Sequence, residues 1–294
     1  MKRVDVANCP CCGSGESLLV IERSPERIGR FLLLSQKKYG GFMDGWEADL
    51  SLEVHRCISC GHLWFRQQPD QQSLFAMYAH GQRLKGRPAA TQPSGAMVSQ
   101  MTALQRLVRA RSSETSLLDF GSGSGRWARA AVQAGFDVAA YEPAPERSSA
   151  CDDIQWFSSL PEIGDRTFNI LNLEQVLEHV PDPVGLMRRI RTHATPETIL
   201  RISVPDVARH AGDLAADFPF DGERMHILSP FEHLSGFCQV SFLKMLERSG
   251  LAPMSVGETA ICCPSYSLKR LMAGVGLPWG RTAVLARYKC TQWN

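Results

Sequence analysis

The sequence predicts an α/β protein in which a Rossmann-like sheet follows a small cysteine-rich β domain. Two observations lead to this fold class. Two C-x-x-C pairs lie within the first 60 residues, and a succession of strand, glycine-rich turn, helix and strand begins near residue 115. With 294 residues, of which 44% are hydrophobic, the chain is long enough for one large core and a smaller second one.

The charge balance excludes several classes of partner. Lys and Arg together number 32 and Asp and Glu 30, so the chain lacks the strong basic field with which proteins bind nucleic acid or anionic membranes. No apolar run approaches the roughly 20 residues that cross a bilayer, and the start MKRVDVANCPCC has no apolar signal segment. We therefore expect a cytoplasmic protein that binds neither membrane nor nucleic acid, and these features leave its oligomeric state open.

The N-terminal domain is defined by its cysteine spacing. In a reducing compartment such spacing indicates metal binding or catalysis rather than disulfides. CPCCG places Cys9 and Cys12 three residues apart, and CISCG repeats the arrangement with Cys57 and Cys60. Two such knuckles supply four thiolates, the ligand set of tetrahedral structural zinc. Cys11, inside the first knuckle, is the alternative ligand, and packed or redox-active thiols are the alternative interpretation.

The segments around and beyond the knuckles predict a ribbon and its boundaries. LSLEVHRC at 50–57 alternates apolar and polar residues, and HLWF at 62–65 continues as a second strand of a hairpin. A helical pattern follows, and the polar stretch at 81–95 predicts a linker or a mobile lid. The chain therefore divides into three parts: a zinc ribbon at 1–70, a helix with linker or lid at 71–96, and a second domain at 97–294.

The second domain begins with a strand–turn–helix–strand unit. TSLLDF at 115–120 is a compact apolar strand, GRWARAAVQAG is a helix and DVAAYEP is the next strand. The first strand and the turn carry regularly spaced residues: Asp119, Gly121, Gly123 and Gly125. A dinucleotide fingerprint needs glycine where the chain has Arg126, and the lysine of a phosphate-binding loop is absent. Bare backbone at the turn, with Glu142 placed to hold ribose hydroxyls, favours a nucleotide-like cofactor without a pyrophosphate.

Two further segments, together with this turn, resemble the class I S-adenosylmethionine (SAM)-dependent methyltransferases. FNILNLEQVLEHVPDP at 168–183 is similar to the fourth strand and following turn of the small-molecule branch. EHLSGFCQVSFLKMLERSGL at 232–251 is similar to that branch's histidine-bearing loop and fifth helix. The resemblance covers roughly residues 97–290 and implies a seven-stranded methyltransferase sheet. The upstream zinc ribbon resembles the subset that includes sugar C-methyltransferases and relatives from polysaccharide gene clusters.

The resemblance also implies the residues of a SAM site. The positions that match the family's motifs are Asp119, Gly121, Gly123, Gly125, Glu142, Ser158, Ser159, Glu174 and Gln175. The glycines would line the methionine and ribose, with the aspartate shaping the turn, and Glu142 would hold the ribose. Ser158 and Ser159 stand where the family contacts adenine, although the family usually has an aspartate there. Glu174 and Gln175 would meet the methionine end.

Two departures from the family pattern affect other contacts. Asn169 replaces the usual aspartate of F-D-x-[IV], which concerns a secondary structural contact rather than the cofactor. In the similar ubiquinone O-methyltransferases, a glutamate three residues before a Glu-His pair helps to bind a divalent metal. This chain has Gln175 at that position, so we expect no catalytic magnesium.

Three histidines are candidates for the base that some methyl acceptors require. His179 follows the fourth strand, where the acceptor should approach. His226 and His233 lie on the long insertion between TILRISVP and the helix VSFLKMLERSG, and such insertions commonly cover the acceptor. Each of the three has a plain alternative as a surface or core histidine, and His179 has a second one as a brace for its loop.

The function that these features predict is methyl transfer from SAM to a small polar acceptor, such as a sugar or nucleotide-sugar. One alternative is a methyltransferase of RNA or protein that docks through its ribbon, which the near-neutral charge opposes. A second alternative is a partner subunit that keeps the fold without the chemistry. The intact glycine motif and Glu142 argue against that alternative, because a fold without a cofactor does not need them.

Overall fold

The computed structural model describes large portions of both predicted domains. The described residues are 2–23, 39–43, 52–85, 92–109, 113–144, 151–210, 228–229, 231–255 and 281–289. Within them lie a two-stranded sheet, a four-stranded sheet and a seven-stranded mixed sheet. No helix in these ranges has the length and apolar character needed to cross a membrane.

The N-terminal domain is built from short antiparallel strands. They are β1 (Arg3–Asp5), β2 (Ser17–Arg23), β3 (Leu52–Cys57), β4 (Leu63–Phe65) and β5 (Gln67–Pro69). β1 pairs with β5, while β2, β3 and β4 form the ribbon, including the predicted hairpin. Along β3, Leu52 and Val54 are buried, while Glu53 and His55 are partly exposed. This is the period-two pattern of a strand with one face in the core.

A helix begins where the sequence pattern becomes helical. α1 spans Gln71–Lys85, and Asp70 caps it, because the Asp70 carboxylate accepts a 2.8 Å hydrogen bond from the Ser73 N–H. The linker predicted at 81–95 therefore starts later than expected, since α1 continues to its fifth residue. Residues 86–91 of that linker lie outside the described residues.

The second domain is built on the seven-stranded sheet. Its elements are α2 (Gly95–Arg109), β6 (Ser116–Phe120), α3 (Arg126–Gln133), β7 (Asp137–Tyr141), β8 (Ile154–Phe157), α4 (Leu160–Ile163), β9 (Ile170–Glu174), α5 (Pro183–Ile190), β10 (Ile199–Pro205), β11 (Ser235–Gly236), α6 (Gln239–Arg248), β12 (Leu251–Pro253) and β13 (Arg281–Tyr288). The strand order is β12-β13-β10-β9-β6-β7-β8, in which β13 runs antiparallel to the other six strands. This arrangement confirms the predicted Rossmann-like methyltransferase sheet.

The central strands of this sheet are buried on both faces. Every residue of β10 is buried, as expected of a parallel strand covered by helices on either side. α2 and α3 contribute to the apolar cluster on one face, and α5 and α6 contribute to the cluster on the other. In such sheets ligands bind beyond the carboxyl ends of the strands where the strand order reverses, here between β6 and β9.

The two domains share a strand and a core. β11, from the second domain, is the fourth strand of the ribbon sheet, with Ser235 opposite Trp64 of β4. The knuckle cysteines and Trp64 lie in the same buried cluster as Phe242 of α6. At the end of α6, the Arg248 guanidinium donates a 3.0 Å hydrogen bond to the Cys11 carbonyl. The ribbon is therefore packed against the larger domain, a contact that the sequence did not predict.

Asn169 makes a structural contact in place of the family's usual aspartate. Its Oδ1 accepts hydrogen bonds from the Ser116 N–H at 2.8 Å and from the Ser116 hydroxyl at 3.1 Å. These bonds tie the residue before β9 to the first residue of β6. An amide oxygen accepts hydrogen bonds as a carboxylate oxygen does, so the contact between the two strands is made without the acid.

Candidate functional site

The four predicted zinc ligands form one cluster. The Sγ atoms of Cys9, Cys12, Cys57 and Cys60 all lie within 4.8 Å of one another, with Cys9–Cys60 at 3.6 Å and Cys12–Cys57 at 3.4 Å. Tetrahedral zinc with bonds of about 2.3 Å separates its thiolates by about 3.8 Å, so the spacing is compatible with a structural zinc ion. Cys11 is buried nearby and is not a member of this cluster.

The knuckle turns explain how the cysteines converge. In each knuckle the glycine after the second cysteine donates a 2.9 Å hydrogen bond to the carbonyl of the first, from Gly13 to Cys9 and from Gly61 to Cys57. Both glycines have left-handed backbone, with φ of 81° and 73°, which side chains adopt at a cost. The turns thus bring the two thiols of each pair to the same side.

The glycine turn after β6 leaves bare backbone at the end of the sheet. Gly121, Gly123 and Gly125 have φ of 70°, 54° and 76°, values that favour glycine. A Cβ on Gly121 would lie 2.8 Å from a Val176 methyl, and one on Gly125 would lie 2.8 Å from the Trp156 ring. Because neither contact is possible without displacement, the turn requires glycine at both positions.

Glu142 is a fixed carboxylate beside this turn. It is 5% exposed, and its Oε2 accepts a 2.8 Å hydrogen bond from the Gly123 N–H while its Oε1 accepts one of 3.1 Å from the Ala144 N–H. Backbone donors at both oxygens orient the carboxylate and stabilise its charge. Glu142 directly follows β7, and its contact with a ribose stays a prediction.

A cavity of about 910 Å³ covers the carboxyl ends of the strands. Five of the predicted cofactor residues line it, namely Gly121, Glu142, Ser158, Ser159 and Gln175. Gln175 is the one described non-glycine residue with positive φ, 54°, a strained conformation that accumulates at ligand sites. The Ser158 and Ser159 hydroxyls both donate to Glu162, at 2.9 and 2.8 Å, so this acid holds the turn where the family has an aspartate.

Asp119 and Glu174, also predicted for the cofactor site, lie beneath the cavity wall. Asp119 is 2% exposed and accepts a 2.6 Å hydrogen bond from Asn172, and burial raises its pKa to about 6. Glu174 forms an ion pair of 2.8 Å with Arg201 of β10. Neither carboxylate belongs to the cavity lining, so contact of either with a cofactor stays a prediction.

His179 also lines the cavity. It ends a short 3-10 turn at Leu177–His179, and its Nδ1 is 2.8 Å from the Glu232 carbonyl oxygen and 2.9 Å from the Tyr78 hydroxyl. Tyr78 and Glu232 line the same cavity. The His233 ring meets the His179 ring edge to face, with centroids 4.6 Å apart. Two of the predicted histidines are thus neighbours, and His226 lies outside the described residues.

Glu178 adds a buried carboxylate to this pair of histidines. One ligand atom each from Glu178, His179 and His233 lies within 4.8 Å of the others, and Glu178 is 1% exposed. Nitrogen and carboxylate ligands of this kind bind divalent metals in many proteins. The absence of a catalytic magnesium, expected from Gln175, stays a prediction.

Helix α1 supplies residues that the sequence did not assign to the site, apart from Tyr78, which is an alternative to the histidines as the base. Leu74, Phe75 and Tyr78 of α1 line the cavity, and Arg189 of α5 lies at its edge. Their only sequence signal was a helix with apolar residues at helical spacing, which also describes an ordinary packed helix. Arg189 donates to Gln71 at 3.4 Å, and no carboxylate of the described residues pairs with it.

The residues at the turn fit a SAM molecule. Among the described residues, the Ser122 hydroxyl and the Trp156 indole nitrogen are buried without a hydrogen-bond partner. These two side chains lie outside the cavity lining, whereas the bare backbone of Gly121 and the oriented Glu142 carboxylate border the cavity. SAM offers ribose hydroxyls, which can donate hydrogen bonds to such a carboxylate.

A family model described as a methyltransferase domain matches residues 98–256, just over half of the chain, and the chain therefore belongs to the methyltransferase domain family. On this match the chain is a methyltransferase. A comparison with curated proteins finds no match.

Several solved structures are similar to the chain. The 1,6-didemethyltoxoflavin-N1-methyltransferase of Burkholderia thailandensis, bound to 1,6-didemethyltoxoflavin and S-adenosylhomocysteine (SAH), is 16% identical over 66% of this chain and 79% of its own, with a TM-score of 0.41. A SAM-dependent methyltransferase from Mesorhizobium loti is 17% identical over 63% and 97%, with a TM-score of 0.41. The plantazolicin methyltransferase BpumL, in complex with a monoazolic desmethylPZN analog and SAH, is 11% identical over 89% and 99%, with a TM-score of 0.47.

Proposed function

We propose that the protein transfers a methyl group from SAM to a small polar acceptor of the sugar or nucleotide-sugar class. The observation that carries the proposal is the single cavity that joins the glycine turn and Glu142 to His179 and Tyr78. At about 910 Å³ it lies at the upper end of the range of ligand pockets, about 300–1,000 Å³, which suits a cofactor and an acceptor bound together.

The cofactor half of this cavity uses residues from the strand ends. Glu142 holds the two ribose hydroxyls, the segment of Ser158 and Ser159 borders the adenine, and Gly121 and Gln175 border the methionine. Bound SAM supplies a methyl group that its sulfonium has already activated. The chain itself has to hold the acceptor in line with that methyl group, exclude water and accept a proton where the acceptor must lose one.

The acceptor half combines aromatic faces with a cation. Tyr39, Phe75 and Tyr78 line this half, and sugar rings pack their apolar faces on aromatic side chains. Arg189 stands at the edge of the cavity without a carboxylate partner among the described residues. A guanidinium binds phosphate oxygens in a two-pronged geometry, which supports a nucleotide-sugar over a neutral sugar.

His179 is the residue best placed to accept a proton. It lines the cavity and is held from one side by the Glu232 carbonyl and the Tyr78 hydroxyl. His233 packs against the same ring and is the second candidate. A neutral imidazole takes a proton near pH 7 without a large change in its environment.

A screen with SAM and candidate acceptors tests this function. Purified protein is incubated with SAM and single nucleotide-sugars, free sugars, RNA or a protein mixture, and SAH formation and the mass gain of one methyl group are measured. We expect a nucleotide-sugar to gain one methyl group and SAH to form in equal amount. Methylation of RNA or protein alone would contradict the proposal in favour of a macromolecular substrate. SAM binding without transfer to any acceptor of the panel would contradict the proposed acceptor class.

A further inference from the structure

A row of polar side chains crosses the middle of the apolar sheet beneath the glycine turn. Asp119 of β6, Asn172 of β9 and Arg201 of β10 stand in register on three neighbouring strands. None of the three is more than 3% exposed. Asn172 Nδ2 donates to Asp119 Oδ1 at 2.6 Å, and Arg201 Nη1 donates to Asn172 Oδ1 at 2.7 Å. The three side chains form a continuous hydrogen-bonded ladder, which we call the polar ladder.

Arg201 connects this ladder to the helix that follows the turn. The same Nη1 atom donates to Glu174 at 2.8 Å, and the guanidinium carbon lies 3.8 Å from the centroid of the Trp127 ring. Trp127 is the second residue of α3, which begins directly after the glycine turn. A guanidinium over an aromatic face is attracted to it. One side chain of β10 therefore links β9 to the start of α3.

The ladder also determines the charge of Asp119. Burial favours the neutral form of a carboxyl group, and so does a second carboxylate nearby. Among the described residues, the charged groups that face Asp119 are Arg201 and Glu174, and the Asn172 amide and the Ala128 N–H are its neutral polar neighbours. Arg201 is thus the cation that opposes both burial and the repulsion from Glu174.

We propose that Arg201 is a positioning residue of the cofactor site. Arg201 keeps Asp119 ionised and in place under the glycine turn, so that the turn presents a negative charge to cationic SAM. Arg201 does not line the cavity and acts through Asp119 and Glu174. This inference rests on the proposed binding of SAM at the turn. An arginine in the middle of the all-buried strand β10 has no packing advantage over an aliphatic residue, and the ladder gives it a role.

The pH dependence of SAM binding follows from this role. The pKa of Asp119 is raised to about 6, so a binding contribution that needs the ionised carboxylate is present well above that pH and is lost as the pH falls through it. Below the pKa, the SAM dissociation constant should rise about tenfold for each pH unit. Removing Arg201 raises the pKa of Asp119, because burial and the repulsion from Glu174 are then opposed only by the hydrogen bonds from Asn172 and the Ala128 N–H. The loss of affinity should then begin at a higher pH.

Calorimetric titration of the full-length protein with SAM from about pH 5 to pH 9 tests the proposal. We expect the midpoint of the affinity loss to move upward by about one pH unit or more in Arg201→Met, and a shift of one unit weakens binding about twofold at pH 7 and about tenfold at pH 5. Arg201→Lys keeps the cation and should retain a midpoint close to that of the wild type. Asp119→Asn should bind SAM weakly with no midpoint in this range, whether or not Arg201 is also replaced.

The outcomes separate this inference from the proposed function. If Arg201→Met follows the wild-type pH profile, or if the shift persists in the double variant with Asp119→Asn, the role of Arg201 is overturned. If wild-type protein binds no SAM at any pH, the proposed cofactor site itself is wrong. Should Arg201→Met fail to fold, Arg201→Gln removes the charge while keeping a polar side chain beside Asn172, and its midpoint must also move upward for the proposal to stand.

Discussion

At the residue scale, the hydrogen bonds of His179 decide which of its nitrogens can act as a base. Its Nδ1 lies 2.8 Å from the Glu232 carbonyl oxygen, and a carbonyl oxygen only accepts hydrogen bonds. The proton of the neutral ring therefore sits on Nδ1, and Nε2 is the basic nitrogen. The Tyr78 hydroxyl, 2.9 Å from the same Nδ1, holds the ring from the side of α1.

Replacing His179 should separate turnover from cofactor binding. With a working acceptor, His179→Ala should lower kcat by about 10²–10⁴-fold, because the acceptor proton then has no nearby base, while the affinity for SAM stays unchanged. Steady-state rates and calorimetry measure the two effects. His55→Ala is the matched control, since His55 is a partly buried histidine of the ribbon that lies outside the cavity lining.

His233 is the alternative candidate for the base. If His233→Ala shows the large loss of kcat and His179→Ala does not, the base is His233, and His179 serves to orient it across their 4.6 Å edge-to-face contact. If His179→Ala weakens SAM binding instead, the histidine braces its loop. Wild-type rates in both variants would contradict a histidine base among the described residues.

At the element scale, the strands of the larger sheet could be predicted because each is a compact apolar run with local turn signals. β6, β7, β9 and β10 follow from such runs, and the zinc cluster follows from cysteine spacing alone. β11 could not be predicted, since a strand of two residues has no periodicity and its partner Trp64 lies about 170 residues away. The polar ladder could not be predicted for a similar reason, because its hydrogen bonds join residues of separate strands.

Metal content tests the ribbon as an element. Cys57→Ser removes one of four thiolates, so the protein should lose most of its zinc and the ribbon should loosen. Cys11→Ser is the matched control, because Cys11 is as buried as Cys57 and lies inside the first knuckle but outside the four-thiol cluster. Elemental analysis should give one zinc per chain for the control and much less for Cys57→Ser. Full zinc in Cys57→Ser would contradict the ligand assignment.

Loosening of the ribbon should also affect the acceptor half of the site, through strand β11. β4 pairs with β11, and the segment that leads into β11 carries Glu232 and His233. In Cys57→Ser, hydrogen exchange at 231–237 should therefore become faster, while exchange in β6 and β9 stays slow. Unchanged exchange at 231–237 would mean that this segment holds its position without the ribbon.

At the scale of the whole molecule, the two halves of the site differ in how they are assembled. The cofactor half comes from one βαβ unit and the next two strands, so its residues lie within about 55 residues of sequence and carry a recognisable pattern. The acceptor half joins α1, the turn after β9 and the segment before β11, with Tyr78 and His179 101 residues apart. Contacts between such distant segments depend on the packed fold, so the sequence indicated the histidines, and Tyr78 only as an alternative base, but not Arg189.

The central claim is that the cavity at the glycine turn binds SAM, and calorimetric titration of wild-type protein and Glu142→Ala tests it most directly. Wild-type protein should bind SAM and not NAD, since Arg126 stands where a dinucleotide turn needs glycine. Glu142→Ala removes hydrogen bonds to the ribose worth about 1.5–3 kcal/mol at most for each, so SAM should bind about tenfold or more weakly. Equal SAM affinity in the two proteins, or NAD binding as tight as SAM binding, would contradict the account.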